Sequence, residues 1–412
     1  MEEREAAMAS LKYWLWLASL PKLSLHMKLA LLEHFGEPDR IYYGEQGEYL
    51  LVKGMTRPMA ACLEDKSLQT ADQILGDCDR LGLRILTIRD TEYPERLQNI
   101  DAPPLLLYVQ GRMPRFEDEV AIAMVGTRRA SPYAITQGER LAFQMAGLGA
   151  VIVSGLAAGG DAAAHRGALR AGGLTVAVIG GGHDIIYPRE NRRLYEDIAI
   201  QGAILSEYPP GTEHMGRHFP IRNRIISGLS LGVLVTEAPE RSGALITANR
   251  ALDQGRDLFI LPGQVDDWHC AGSNRLLGEC GYPVQDAWDV LSHYAAKFPN
   301  KIRPLRAKEP QHFGSGRPSA RREAPAAPPP PPALPVLDLA GDHGLTDDQL
   351  RIVRALRGGT LQVDELIELT QLPARRVLSA LTVLEIDRVV TQESGKRFSL
   401  AVTLTPSPQA AL

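Results

Sequence analysis

Val120-Ala-Ile-Ala-Met-Val125 runs directly into Gly126-Thr127-Arg128-Arg129. A short apolar run that stops at turn residues reads as a strand, and a strand apolar at every position is buried on both faces. The helical stretch Ala134 to Leu148 follows. Glycine at the end of such a strand lets the turn close tightly and lets a ligand approach the backbone. The N–H groups of a following helix favour an anion, and an arginine beside them adds a bidentate phosphate contact. Taken alone this turn is a weak signal, because many strand-to-helix turns carry glycine for geometry only.

Working outward, the same unit recurs. Strands are expected at Arg84 to Arg89, Leu105 to Val109, Ala150 to Val153, Thr175 to Ile179, Ala203 to Ser206, Leu231 to Thr236 and Asp257 to Leu261. Helices are expected at Gly160 to Ala171, Asn191 to Ile200, Ile221 to Ser227 and Ala244 to Gln254. Alternating strands and helices at this spacing predict an α/β fold, a Rossmann-like doubly wound sheet. Ser154-Gly155-Leu-Ala-Ala-Gly-Gly-Asp161 and Gly180-Gly181-Gly182 end the next two strands. Three such turns gather at one carboxyl edge of a parallel sheet, where these folds place ligands.

The flanks differ. Residues 1–80 read as a small helical domain, with Trp14, Leu17 and Leu20, then Leu29, Leu32 and Phe35, at helical spacing. The α/β core is expected over 81–300 and a proline-rich linker over 301–338, with Pro328 to Pro332 unbroken. Residues 339–412 suggest three helices and a hairpin, a winged-helix-like domain. That fold docks DNA or packs on proteins. Arg375 and Arg376 open its third helix, with Glu385 and Asp387 nearby, so both readings stay open.

The 412 residues are 44% hydrophobic and 23% charged, with a net charge of -4, so a DNA site must be a local basic groove. The acidic start Met1-Glu2-Glu3-Arg4-Glu5 does not suit export, and the apolar run near Tyr13 to Leu20 is too short to cross a bilayer. A cytoplasmic protein without membrane insertion is expected. Cys270 and Cys280 lie near His269 but lack the spacing of a structural zinc site. Four free thiols are the plainer reading, and no metal is expected.

Neither the G-x-G-x-x-G fingerprint nor the phosphate-binding loop of NTPases is present, so no nucleotide cofactor is expected. Basic residues follow the glycine turns instead: Arg189, Arg192 and Arg193, then Arg222-Asn223-Arg224, with Ser242-Gly243 opening a further helix. Tyr187, Tyr208 and Phe219 offer ring faces beside them. A basic track with interleaved aromatics suits a single strand better than a duplex. The alternative is that the arginines pair with Glu190, Glu196, Glu207 and Glu237, and the aromatics are core. Asp161 and His165, four apart, read as a helix-start cap and a semi-buried histidine. No catalytic constellation stands out, so the chain reads as no enzyme.

In order, Gly126-Thr-Arg128, Ser154-Gly155-Leu-Ala, Asp161 with His165, Gly180-Gly-Gly182, Tyr187-Pro-Arg-Glu-Asn191 and Ser206-Glu-Tyr-Pro-Pro-Gly-Thr212 resemble the DNA-processing protein A (DprA/Smf) family. Phe219-Pro-Ile-Arg222-Asn223-Arg224-Ile-Ile-Ser-Gly228-Leu-Ser230, Glu237-Ala238, Ser242-Gly243-Ala-Leu-Ile-Thr247-Ala248 and Leu261-Pro-Gly263 extend the resemblance to about Ile85 to Asp289. It implies binding of single-stranded DNA without strong sequence preference. It implies protection of DNA taken up in natural transformation, loading of RecA recombinase, and a homodimer formed through the α/β domain. It implies Arg128 and Arg193 as DNA contacts, with Arg222, Asn223 and Arg224 shaping the pocket. Together with the glycine turns and the basic track, the expected DNA-binding residues are Gly126, Thr127, Arg128, Ser154, Gly155, Gly180, Gly181, Gly182, Arg192, Arg193, Arg222, Asn223, Arg224, Ser242 and Gly243.

Two departures stand out. Ala157-Ala158-Gly159-Gly160-Asp161 replaces the Ala-Arg-Gly-Ile-Asp common in the family, which removes one candidate phosphate contact and suggests a looser helix start. Lys22-Leu-Ser-Leu-His-Met27 stands where many relatives carry a Gly-Val-Gly hairpin, which weighs against a phosphate grip there. Two rivals remain. A nucleotide phosphoribohydrolase needs a Pro-Gly-Gly-x-Gly-Thr loop, and Ala238-Pro-Glu-Arg-Ser-Gly243 occupies the comparable stretch. A winged-helix transcriptional regulator would place tight duplex binding in the tail.

Overall fold

The computed structural model describes residues 2–302, 336–337, 345–387, 389–393 and 397–404. The chain forms two compact units, 1–311 and 312–412. The proline run lies outside the described residues.

The first unit is built on a nine-stranded sheet. Its strands are β1 (Arg84–Thr87), β2 (Leu106–Gly111), β3 (Ala121–Val125), β4 (Val151–Ser154), β5 (Thr175–Ile179), β6 (Ala203–Ser206), β7 (Gly232–Val235), β8 (Asp257–Ile260) and β9 (Tyr282–Pro283). The spatial order is β1-β2-β6-β5-β4-β3-β7-β8-β9. From β6 to β9 every pairing is parallel, while β2 pairs antiparallel with both β1 and β6. The chain winds outward from β3 through β4, β5 and β6, then returns to place β7 on the other side of β3. The strand order therefore reverses between β3 and β7, and the loops after these two strands diverge to leave a crevice at their carboxyl ends.

The doubly wound α/β architecture is as the sequence implies. Alternate residues of each central strand serve opposite faces: Ala121, Ala123 and Val125 pack in one cluster, Ile122 and Met124 in the other. Helices Pro132–Gly147 and Gly160–Arg170 cross between strands as expected. Two helices beyond the sequence reading, Ala271–Glu279 and Ala287–Ala295, flank the added edge strand β9.

The N-terminal helices include Glu2–Ser19, Leu25–Phe35 and Gln69–Leu81. Trp14, Leu15, Leu31, Leu107 and Val176 belong to one buried cluster, so these helices share a core with the sheet. Within Lys22 to Met27, Ser24 caps the 25–35 helix by accepting from the Met27 N–H at 3.2 Å. The stretch is a helix start, and its side-chain oxygen is committed to that cap.

Lys28 is unusual among these helices. It is 8% exposed, its Nζ donates to the Ala18 carbonyl at 2.6 Å, and burial lowers its pKa from 10.5 to about 8. The unfolded chain holds that proton to higher pH, so stability is expected to rise between about pH 8 and 10.5. Below pH 8 the buried charge costs on the order of 1–3 kcal/mol. Lys28→Met is expected to flatten this rise in thermal melts and to melt no lower than the parent at pH 7. A steeper rise in the variant contradicts the assignment.

The second unit has helices Asp347–Ala355, Val363–Thr370 and Ala374–Ile386 and a sheet of Leu361–Gln362, Arg397–Leu400 and Val390–Glu393 in that spatial order. Ile352, Leu366, Leu381, Val390 and Phe398 fill its core. This is the winged-helix arrangement read from the sequence; the hairpin turn 394–396 lies outside the described residues. Arg376 of the third helix makes two hydrogen bonds to the Asp348 carboxylate, both 2.7 Å. One of the two basic residues that open this helix is thus paired within the unit.

Candidate nucleic-acid interface

The crevice between β3 and β7 is a cleft of about 520 Å³. Its floor holds Gly126 and Asp161; its rim holds Arg128, Arg129, Phe219, Arg241, Trp268 and His269. The sequence placed the phosphate on backbone amides at the first turn, and the structure corrects that. Thr127 N–H donates to the Glu237 carbonyl at 2.9 Å. The helix after this turn starts at Pro132, which has no N–H, and Ser131 caps it, accepting from Ala134 N–H at 3.1 Å. Ser131 in turn donates its N–H to the Glu237 carboxylate at 3.0 Å.

The second turn is also occupied from within. The Asp161 carboxylate accepts from Ala157 N–H at 3.4 Å, and the amides of Gly126 and Gly155 also face it. Burial pushes the Asp161 pKa up, and Arg222 together with these amides opposes the rise. An internal carboxylate thus sits where a Rossmann fold would receive a nucleotide phosphate. Gly160 is what permits it: a Cβ there would come within 2.7 Å of Gly126 Cα. Gly160 therefore does not loosen the helix start, as the sequence suggested, but packs two turns together.

Arg222, on helix His218–Gly228, lies beneath the cleft at 4% exposure. Its Nη1 donates to the Gly155 carbonyl at 2.7 Å and to the Val178 carbonyl, while its Nε has no partner among the described residues. Burial lowers its pKa to about 10, with Asp161 opposing, so it stays charged at neutral pH. Gly155 leaves the space it needs, since a Cβ there would meet Nη1 at 2.3 Å.

The rim is different in kind. Arg128, Arg129 and Arg241 are exposed and make no ion pair among the described residues. The Arg128 guanidinium lies over the Phe219 ring at 4.6 Å, with Arg222 on the same ring at 5.8 Å. His214, Tyr187 and Phe219 form a three-ring cluster, with centroids 5.6 Å (His214–Tyr187), 6.4 Å (His214–Phe219) and 5.7 Å (Tyr187–Phe219) apart. Ser242 caps helix Gly243–Asp253 and brings its amino end to the cleft beside Asn223, whose Nδ2 donates to the Gly243 carbonyl at 3.4 Å.

Of the residues named from sequence, the cleft gathers Gly126, Thr127, Arg128, Arg222, Asn223, Ser242 and Gly243. It does not gather the rest. Ser154 is buried and bonds to the Met124 carbonyl. Gly180, Gly181 and Gly182 form a backing: the Gly180 carbonyl meets His218 Nδ1 at 3.1 Å, and Gly182 N–H donates to Thr212 at 2.8 Å. They seat the segment that carries Phe219. Arg192 and Arg193 are exposed on helix Arg192–Gln201, away from the cleft lining. Arg224 bonds to both Glu207 carboxylate oxygens at 2.7 and 2.9 Å, the structural ion pair that the sequence held as an alternative. It lines a second cavity of about 640 Å³ with Glu207 and Lys28, where positive and negative groups are mixed. Arg129, read from the sequence as a groove residue beside Arg128, does line the cleft; Arg241, Trp268 and His269 were missed, since nothing in their spacing ties them to β3. His165 is fully buried rather than semi-buried, and burial lowers its pKa to about 3.

Comparison with known proteins agrees with this architecture. The family model described as DNA recombination-mediator protein A matches residues 84–295, and a second, described as DprA winged helix domain, matches 322–396. Protein Smf of Synechocystis is 34% identical over 339 residues, covering 79% of this chain and 82% of that protein. DNA processing protein DprA of Bacillus subtilis is 41% identical over 210 residues, 51% of this chain and 71% of its own. The X-ray structure of DprA from Streptococcus pneumoniae superposes with a TM-score of 0.61 at 36% identity, covering 68% of this chain and 97% of that one. With its sheet, winged helix and ordered turns in common with these proteins, the chain belongs to the DNA recombination-mediator protein A (DprA/Smf) family.

Proposed function

We propose that this protein grips single-stranded DNA in the cleft between β3 and β7, with Arg128, Arg129 and Arg241 on the phosphates and Phe219 against a base. The observation that carries the reading is the exposed guanidinium of Arg128, without an ion pair among the described residues, lying on Phe219 at 4.6 Å. A guanidinium seated over a ring face has no hydrogen bond to that ring to give up, so its donors stay available for phosphate oxygens. A ring face beside it suits the unstacked bases of a single strand better than a closed duplex. Gly126, Thr127, Asn223, Ser242 and Gly243 shape the cleft; Arg222 holds its floor.

The family supports the wider role: a mediator that takes part in DNA processing during transformation, protects the incoming strand and passes it to RecA recombinase, working in the cytoplasm as a homodimer. The protein acts by binding and catalyses no reaction. Asp161, the acidic residue that lines the cleft, is taken up by backbone amides, and Glu237 by Ser131. The ion pair of Arg376 with Asp348 weighs against the tail as the main DNA grip.

A gel-shift comparison of oligothymidylate with duplex DNA tests this, using the full chain and a 1–302 fragment. Both forms are expected to prefer the single strand. With three to four phosphates neutralised, affinity is expected to fall about 20–50-fold between 50 and 200 mM salt. Loss of single-strand binding in the fragment would falsify the assignment to the first unit.

A further inference from the structure

The loop after β8 completes the rim of the cleft and belongs to no part of the grip described above. Trp268 is 66% exposed although it lines the cleft. Its indole is not a floppy appendage. The His269 ring packs against it with centroids 3.8 Å apart. His269 is held in turn by Asp267, whose Oδ1 meets both the His269 N–H at 2.9 Å and the ring Nδ1 at 2.8 Å.

The loop is also pinned at its stem. Asn274 accepts from the Gly263 N–H at 3.1 Å and donates to the Gly263 and Gln264 carbonyls at 3.3 and 3.2 Å. Cys270 N–H closes the loop onto the Asp267 carbonyl at 3.0 Å. A large aromatic face is thus fixed toward water, which costs hydration free energy unless something covers it.

The position of the loop says what covers it. Phe219 reaches the cleft from the β5 side, against Gly180, and Trp268 from the β8 side. The strand order β5-β4-β3-β7-β8 puts the switch point between them. Arg128, Arg129 and Arg241 share the same rim. Cations flanked by two ring faces match a chain of phosphates bearing flat bases.

We infer that Trp268, braced by His269 and Asp267, is a second base-stacking platform, so that a strand crossing the cleft stacks one base on Phe219 and another on Trp268. The inference rests on the proposed single-strand grip and adds a base contact on its far wall. Trp268 is a binding residue here, and Asp267 and His269 position it.

Two probes separate base stacking from charge: oligothymidylate, and an abasic deoxyribose-phosphate oligomer of the same length. Trp268→Ala in the full chain is expected to weaken oligothymidylate binding about 5–50-fold and leave the abasic oligomer unchanged. Trp268→Phe is expected to keep most of the affinity. In a Trp288→Phe background, where Trp268 is the one exposed indole left beside buried Trp14 and Trp16, oligothymidylate is expected to quench tryptophan emission. Arg128→Ala is expected to weaken both probes. If Trp268→Ala binds both probes as the parent does, or loses both equally, while Arg128→Ala weakens both, the platform is wrong and the grip stands. If Arg128→Ala also binds both normally, the cleft is not the DNA site and the platform falls with it.

Discussion

Arg222→Ala is expected to destabilise the first unit by about 3–5 kcal/mol. The side chain is buried, bonds to the Gly155 and Val178 carbonyls, and lies near the buried carboxylate of Asp161. Its removal strips two carbonyls of their donor and leaves Asp161 without its cation. An unpaired buried charge is the costliest of these losses. All four tryptophans belong to the first unit, so denaturant melts followed by tryptophan emission report on that unit alone. Adding Asp161→Asn to Arg222→Ala is expected to recover part of the loss, because the orphaned charge goes with it. Full additivity of the two changes would contradict the coupling. The variant is also expected to lose single-strand binding, since the Gly155 turn and the Phe219 ring both lean on this guanidinium.

Arg128→Ala is expected to act the other way round, on binding and not on stability. The residue is exposed and unpaired among the described residues, so melts are expected to stay within about 0.5 kcal/mol of the parent. Affinity for oligothymidylate is expected to fall about 10–100-fold, the range for losing charge-assisted contacts. The slope of log affinity against log salt is expected to shrink by about 0.7, one phosphate on a single strand. Arg128→Lys is expected to recover only part of the affinity, because an ammonium neither lies flat on Phe219 nor presents a fork of donors. An unchanged affinity and salt slope in Arg128→Ala would remove the cleft from consideration.

The sheet was readable because its information is local. Val120 to Val125, Thr175 to Ile179 and Leu231 to Thr236 are apolar at nearly every position, and only a strand covered on both faces uses such runs. The winged-helix unit was readable for the same reason, from helical spacing in Leu350, Val353 and Leu356 and its neighbours. The site was readable in part. Arg128 and Asn223 were found from glycine turns and charge. Arg224 looked the same as Arg222 on paper, yet it is spent on Glu207. Two arginines two residues apart leave a helix in directions about 200° apart, and only the packing on each side tells which lies beneath the cleft and which is bound to Glu207.

Strands β1 to β8, the crossover helices between the parallel ones and a ring of glycine turns without a nucleotide fingerprint are legible in the sequence alone; the edge strand β9 is not. What only the tertiary structure decided is who uses the Gly126-Thr127-Arg128 turn. The Gly126 and Thr127 amides go to Asp161 and Glu237 inside the protein, while the Arg128 side chain is exposed and lies on Phe219. The physical reason is distance along the chain. Asp161 lies 35 residues from Gly126, Glu237 110 from Thr127 and Phe219 91 from Arg128, and contacts between such residues are fixed by the winding of the sheet and not by any local spacing.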